Sequence, residues 1–492
     1  MQWTATMREH VPVGRLRGDT VGIGLVLLLA LISLSLRVWL LIPYRDNFDE
    51  GVYWASLRSL SRGHAIFSDV FSSQPPLFLL SLLPGFKALG SMLVSARAIV
   101  LLLSVVGLIS IYFAAKAIGG RPAGWIAVLL LASNARYLSL SSTVVAEVPA
   151  IAFELLAVAL ALAAARSAGR RQPVMAAFSG AALAIGTLTK LFVVVAAVPS
   201  LLYLLGGARG RSLGTAARLL GAFAAGGLLV TGGVLAPLWG RREALYDQVI
   251  GLHLDAAAPG GGPITNLRML SVSVQTPLYL AALVVLALLV RRRRAEVVPP
   301  LLWGLASLAV LLRLQPLVSH HDLLLTPPAV LIVALAPLAI GQSRQAAGNR
   351  ARSGRAASAI GAAVIAVMTV GTVTTLYQAL QPSGNLAVNR RMAAELRALT
   401  GPDDLVVSDE PYVVAMADRQ VPPSLVDTSY VRLRSGSLDA AGINQMIIAS
   451  GTRAVLFTGR GFERVPGVRE WVRANFRLAR SFGAGRALYI RA

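Results

Sequence analysis

The sequence predicts an α-helical polytopic membrane protein of about eleven transmembrane helices that ends in a small extracytoplasmic α/β domain. Three observations carry this expectation. The 492 residues are 55% hydrophobic and only 14% charged, with a mean hydropathy of +0.66, whereas a soluble domain is charged at about a quarter of its positions. Apolar runs recur from 21 to 380 at lengths suited to crossing a hydrocarbon core of ~30 Å. Beyond 381 the charge density rises and the period of the apolar residues changes.

The chain begins with a polar arm carrying Arg8, Arg15 and Arg17, followed by the apolar run 21–42. No small-residue cleavage site follows that run, so it is expected to stay as the first helix. Further spans are expected at 97–117, 122–140, 147–166, 173–189, 191–206, 215–238, 271–290, 298–313, 324–341 and 357–380. The run 75–89 is short and broken by Pro84 and Gly85, and is expected to lie along the interface.

Arginine placement supports that choice. If 75–89 does not cross, one side collects Arg8, Arg15, Arg17, Lys116, Arg121, Arg166, Arg170, Arg171, Arg209, Arg211, Arg218, the run 291–294, Arg344, Arg350, Arg352 and Arg355. Opposing them are only Glu9, Asp19 and Glu296. Such an excess marks the cytoplasmic face, so the N-terminus is expected inside and 381–492 outside. The formal net charge of +23 therefore belongs to topology anchors, and no nucleic-acid partner is expected. With no cysteine, disulfides, thiolate nucleophiles and thiolate metal sites are excluded. Arginine greatly outnumbers lysine, which points to a GC-rich bacterial source and hence a bacterial plasma membrane.

Within the last segment, β-type runs at 405–407, 454–457 and 487–490 alternate with helical patterns at 389–399, 438–449 and 468–476. Two domains follow, 1–380 in the membrane and 381–492 outside it. Asp409, Glu410, Asp427 and Tyr430 are the exposed positions that could roof a cavity below this domain.

The expected topology places the unusual polar residues on one side. The first outer loop, 44–96, holds the adjacent acids Asp49 and Glu50, the aromatics Phe48, Tyr53 and Trp54, and Gln74 before two prolines. Glu147 opens the fourth span, with Glu154 deeper on the same helical face. Lys190, one of three lysines, sits at an outer junction. Arg241, Arg242, His253 and Arg268 occupy a large outer loop containing the flexible stretch PGGGP, and His320, His321 and Asp322 open the tenth span. Charge near a bilayer is costly unless paired or hydrated, so this convergence predicts an outward-facing polar cavity. Carboxylates facing cations suit a reaction in which one group removes a hydroxyl proton while others hold a departing phosphate. Adjacent histidines on a helix do not easily converge on one ion, so no metal ligands are assigned, although a divalent cation stays possible.

These stretches resemble the GT-C class of polytopic glycosyltransferases, in the family 39-like branch of protein O-mannosyltransferases and of lipid A aminoarabinose and galacturonic acid transferases. The resemblance rests on FDEGVY in the first outer loop, QPPLFLL, VVAEVPAIAF, the Thr-Lys junction GTLTKLFVVVAAVP, and HHDLLLTPPAVLI. It implies a GT-C fold and an inverting transfer of a sugar from a polyprenyl-phosphate donor, without a nucleotide sugar, to a hydroxyl of a glycolipid, polysaccharide or protein of the cell envelope. Asp49 would be the general base or orient the acceptor, Glu50 would bind acceptor or brace the loop, and Glu147 would line the sugar site. Lys190 with Arg241, Arg242 or Arg268 would bind the donor phosphate, and Tyr53, His320, His321 and Asp322 would line the substrate. Gln74 stands where the family often has lysine, so its help to the phosphate is a hydrogen bond without charge. A lipid-linked-sugar transporter or flippase is the alternative, and it predicts paired broken helices and midplane charges. A non-catalytic anchor would leave the outer-loop acids unexplained.

Overall fold

A computed structural model describes residues 47–208, 212–256, 261–341, 373, 377 and 385–491. The expected first and eleventh spans, 21–42 and 357–380, lie outside these apart from two single positions. Helices dominate: α1 (Phe48–Ser61), α2 (Pro76–Ala88), α3 (Leu93–Ala132), α4 (Ala135–Leu140), α5 (Glu147–Arg166), α6 (Arg171–Thr189), α7 (Ala197–Ala208) and α8 (Leu213–Leu235) come first. They are followed by α9 (Arg242–Tyr246), α10 (Leu252–Asp255), α11 (Pro263–Ser271), α12 (Thr276–Arg291), α13 (Val298–Arg313), α14 (Thr326–Ala334) and α15 (Ala336–Gly341).

Among the described residues six helices are long and apolar enough to cross a membrane, or seven if one bent pair counts as a span. That is fewer than the nine expected over the same stretch, and local breaks explain the difference. The 40-residue α3, counted once, is two helical arms that hold the expected span 97–117 and most of 122–140 and meet at Gly120 with φ 81°, a backbone that glycine adopts at little cost. Residues 191–196 form a 3₁₀ turn ahead of α7, leaving only 12 α-helical residues. Most of the run 271–290 is α12, only 16 residues long, and α11 joins it at a 96° bend. Helix α2, with Pro84 inside it, is 13 residues long, about 20 Å at the standard rise and too short to span.

The bundle core is α3, α5 and α6 with α14, whose Val330, Leu331 and Val333 are buried. Helix α8 lies against α6 at very close range. A Cβ on Gly180 would meet the Phe223 carbonyl oxygen at 1.9 Å, and one on Gly226 the Ala177 carbonyl oxygen at 1.9 Å. Small residues allow this backbone contact, which serves association where lipid removes the hydrophobic drive. The other side of α8 is bare hydrocarbon, with Leu228 and Leu229 exposed.

Residues 385–491 form an α/β unit, here called the cap. Four strands, β1 (Val406–Ser408), β2 (Ala454–Phe457), β3 (Arg477–Gly483) and β4 (Arg486–Ile490), run in the order β1-β2-β4-β3. The β1–β2 pair is parallel and the others antiparallel. Helices α16 (Leu386–Leu399), α17 (Pro411–Met416), α18 (Tyr430–Arg434), α19 (Ala440–Ala449) and α20 (Val468–Asn475) complete the unit. Strand β3 has no alternating apolar signature: it is an exposed edge paired to β4 through two register shifts, so its sequence reads as polar loop.

The cap docks on α1, the helix that carries Asp49 and Glu50. Tyr412 of α17 packs edge-on against Trp54 with ring centroids 5.9 Å apart, and Asp418 accepts from Arg58 at 2.6 Å. The fit is tightest at Gly51, where a Cβ would lie 2.6 Å from both the Cβ and the backbone nitrogen of Tyr412. Because a backbone atom cannot swing aside, Gly51→Ala is expected to cost ~1–3 kcal/mol of overpacking, read as a lower thermal midpoint of the purified protein. An unchanged midpoint would contradict the docking.

Candidate active site

The two adjacent acids of α1 separate in the fold. Successive helical residues point about 100° apart, and Asn47 caps the helix by accepting the Glu50 backbone N–H at 3.1 Å. Glu50 turns into the protein and is fully buried. Arg97 of α3 donates to it through Nε at 2.7 Å and Nη2 at 2.5 Å, and the Val144 N–H adds a third bond at 2.8 Å. With both oxygens taken and no surface left, Glu50 has the surroundings of the loop brace and not of an acceptor-binding group. It is a brace, joining α1 to α3 and to the segment that leads into Glu147.

Asp49 is half-buried and has no hydrogen-bond partner among the described residues. Burial pushes its carboxyl above the usual aspartate range. His320 and Lys190 pull it down, and Glu147 and Asp427 push it up. A carboxyl held partly toward neutral by desolvation is a more effective proton acceptor. Tyr53, one turn along α1, has a hydroxyl pushed far up by burial and by the charges of Asp49, Glu147 and Asp427, while Gln74 bonds to it. Tyr53 and Gln74 therefore meet beside Asp49.

Glu147 is the first residue of α5 and is almost wholly buried. Lys190 follows α6 in extended backbone, φ −153° and ψ 123°, and this break aims its ammonium across to bond Glu147 Oε1. The ammonium also lies 4.9 Å from the centroid of the Phe192 ring. His320 Nε2 approaches the same Glu147 oxygen at 3.3 Å and His321 Nε2 at 3.9 Å. The expectation that neighbouring histidines could not converge is corrected here. They sit in a 3₁₀ turn, Ser319–Leu325, with rings 4.8 Å apart at 88°, so both nitrogens face Glu147. The ligand atoms of Glu147, His320 and His321 all lie within 4.8 Å of one another. Two imidazoles and a carboxylate form a three-ligand set suited to a divalent cation with open positions, and an ion there would polarise a bound phosphate oxygen. Lys190 already occupies the shared oxygen, so cation and ammonium compete for Glu147.

Asp322 does not line the cavity. Arg136 binds it at 3.1 and 3.3 Å, Ser273 donates to it, and its carbonyl accepts from Tyr279 at 2.9 Å. The residue locks the histidine turn to the starts of α4 and α12, a positioning task. Glu154 is fully buried and accepts from Trp303 Nε1 at 3.0 Å, inside the bundle. Trp54 is spent on the cap contact. Asp409, expected exposed, is fully buried and receives the Thr458 N–H at 2.8 Å and hydroxyl at 2.9 Å. Glu410 is buried with Arg460 Nε at 3.0 Å, whereas Tyr430 is exposed.

The outer-loop arginines divide. Arg241 donates to the Ile66 carbonyl at 3.2 Å and fastens the first outer loop, with Gln248 bridging Ser72 and Phe67 beside it. Arg242 is exposed and, among the described residues, engaged only with Glu243 and Trp239. Arg268 is exposed on α11, and its side chain has no hydrogen bond or ion pair among the described residues. Two participants escaped the sequence reading, Arg97 and Arg136, which look like ordinary interfacial arginines until their acids are found. Asp427, expected as an exposed roofing position, is buried within range of Asp49, Tyr53 and His253.

The bundle, the cap over its end and the acid–base cluster between them have the fold of the GT-C membrane glycosyltransferases. Residues 73–234 match the family of dolichyl-phosphate-mannose-protein mannosyltransferases. Among solved structures the chain is similar to ArnT of Cupriavidus metallidurans, with TM-scores of 0.69 in the apo state and 0.67 with undecaprenyl phosphate bound. Identity is 14%, over 96% of this chain and 98% of ArnT. It is also similar to the oligosaccharyltransferase AglB of Archaeoglobus fulgidus, crystallised with an inhibitory peptide and a dolichol phosphate, with TM-score 0.56 and 13% identity over 97% of this chain and 75% of AglB. No curated protein sequence matches the chain.

Proposed function

We propose that this protein transfers a sugar from a polyprenyl-phosphate donor to a hydroxyl group on the extracytoplasmic face of a bacterial plasma membrane, with the cap on that face. The observation that carries the reading is a desolvated carboxylate, Asp49, without a hydrogen-bond partner among the described residues and within range of a buried cluster of Lys190, Glu147 and two histidines at one end of an apolar bundle. The acceptor oxygen attacks the anomeric carbon while its proton passes to Asp49. The bond from that carbon to the phosphate oxygen breaks, and the electron pair leaves with the phosphate. Lys190 moves from Glu147 to the departing phosphate, where charge develops, and His320 and His321 stay with Glu147.

A single displacement with inversion suits this set. A double displacement needs a second carboxylate free to form a glycosyl ester, and Glu147 is held by Lys190 and the histidines. The lipid has a fitting place as well. An apolar groove of about 470 Å³ is lined by Leu77, Ile99, Leu103, Phe153, Ile185 and Leu229. Leu77 follows closely on Gln74, and Ile185 and Phe153 lie one to two turns from Lys190 and Glu147, so the groove opens beside the cluster. Prenyl units in the groove would leave the phosphate at Lys190.

Binding of undecaprenyl phosphate to the purified protein tests this reading. The protein is expected to bind it saturably, and Lys190→Met to weaken binding about tenfold, a charge-assisted hydrogen bond being worth ~1.5–3 kcal/mol. Lys190→Arg should restore most of the loss. Absence of saturable binding by the folded protein would overturn the reading.

A further inference from the structure

The cap does more than cover the site, because it lowers a carboxylate into it. Asp427 lies between the 3₁₀ turn Pro423–Leu425 and α18, and is only 3% exposed. Its segment is held from several directions. The Phe71 N–H donates to the Pro423 carbonyl at 3.3 Å. Arg432, itself 5% exposed, stacks 3.9 Å from the Phe71 ring centroid and donates to the carbonyls of Ser424 at 2.6 Å and Asp427 at 2.9 Å. These contacts fix the cap segment to the first outer loop and hold Asp427 within electrostatic range of Asp49 and Tyr53 on α1.

The carboxylate is underused for one so buried. Oδ1 accepts the Ser429 N–H at 2.8 Å, and Oδ2 has no hydrogen bond among the described residues. An ionised carboxylate has about four acceptor positions, and burying it with one donor is costly. Asp49 repels it, and the nearby Arg432 spends its hydrogen bonds on the carbonyls of Ser424 and Asp427 and none on this carboxylate. An arrangement that costs stability and leaves one oxygen open is reasonable where a ligand brings the missing donors.

Resting on the glycosyl-transfer reading above, we infer that Asp427 is a specificity-determining residue for the acceptor. Its open oxygen accepts a hydrogen bond from a second hydroxyl beside the one that attacks, so the acceptor is a neutral glycan with adjacent hydroxyl groups. Two carboxylates on the acceptor flank disfavour a phosphate-bearing acceptor by like-charge repulsion. An isolated serine or threonine hydroxyl leaves Oδ2 unpaired. The chemistry at the anomeric carbon is unchanged: the attacking oxygen loses its proton to Asp49, and Asp427 only accepts a hydrogen bond.

The test uses full-length protein in liposomes with radiolabelled undecaprenyl-phosphate mannose and undecaprenyl-phosphate arabinose. The offered acceptors are octyl glucoside below its micellar concentration, octyl phosphate, and a threonine-containing peptide. Transfer to each acceptor is measured against release of sugar to water. The glycoside is expected to be the preferred acceptor. Asp427→Asn should lower the ratio of glycoside transfer to water release at least tenfold, and Asp427→Glu should recover part of it. A loss of fold would depress transfer and release together and leave that ratio unmoved. Preference for the phosphate or the peptide, or an unchanged ratio in Asp427→Asn, overturns the inference and leaves the glycosyltransferase reading standing. Consumption of neither donor by the unmodified protein, with or without acceptor, would remove both.

Discussion

Asp49→Asn is expected to lower the rate of sugar transfer by at least ~10², the scale of a lost general base, while undecaprenyl phosphate still binds. The amide keeps the shape of the carboxylate and cannot take the proton, so the effect belongs in kcat more than in lipid affinity. The pH profile gives an independent check. Burial is the largest influence on Asp49 and raises its carboxyl, and the base works only when deprotonated. Activity should therefore fall on acidification through a value above the ordinary aspartate pKa of ~3.9. In Asp49→Asn the residual rate should be flat across that same limb. A limb at the ordinary value, or one that survives in the asparagine variant, would assign the proton to another group.

The second large effect concerns stability. Glu50 and Arg97 are both almost completely buried, with side-chain exposures of 0% and 3%, and each satisfies the other. Removing one partner leaves an uncompensated charge in the interior, which costs ~3–5 kcal/mol. Arg97→Met is accordingly expected to lower the thermal midpoint sharply and to lose activity with it. The double variant Glu50→Leu, Arg97→Met should regain part of that midpoint, since two apolar groups can replace a buried pair at modest cost. It should still work poorly, because the Val144 N–H also relies on Glu50 and the path into Glu147 loses its anchor. A Glu50→Gln variant that keeps full stability yet loses transfer would return Glu50 to the chemistry.

How far the sequence reveals this site depends on what each residue needs to be recognised. Asp49, Glu147 and Lys190 were legible because each is a charge at the edge of an apolar run, where desolvation makes an idle ionisable group expensive. The division of labour between Asp49 and Glu50 was not legible, since it depends on Arg97 and Val144, partners brought in from beyond the first outer loop. The histidine pair misled for a local reason. The expectation assumed that side chains of adjacent residues diverge too far to meet, but in the 3₁₀ turn ahead of Pro327 and Pro328 the two imidazoles, set nearly perpendicular, both reach Glu147 Oε1. Asp322, Arg242 and Arg268 were grouped with the site because topology placed them on its side, which gives a hemisphere and not a contact. The membrane helices followed from hydropathy except where glycine, proline or a 3₁₀ turn broke them. The cap was visible as a change of texture, and its exposed β3 was not, because an edge strand rich in arginine lacks the alternation that marks a buried one.

The measurement that bears most directly on the central claim is the fate of the lipid donor in proteoliposomes. Radiolabelled polyprenyl-phosphate sugars of several kinds would be supplied with glycoside acceptor, and both halves of the donor followed. The account predicts that at least one donor is cleaved, giving polyprenyl phosphate and glycosylated acceptor in equal amounts, and that Asp49→Asn abolishes the cleavage. Intact donor crossing the bilayer without cleavage, undiminished in Asp49→Asn, would contradict it and make the protein a carrier of lipid-linked sugar.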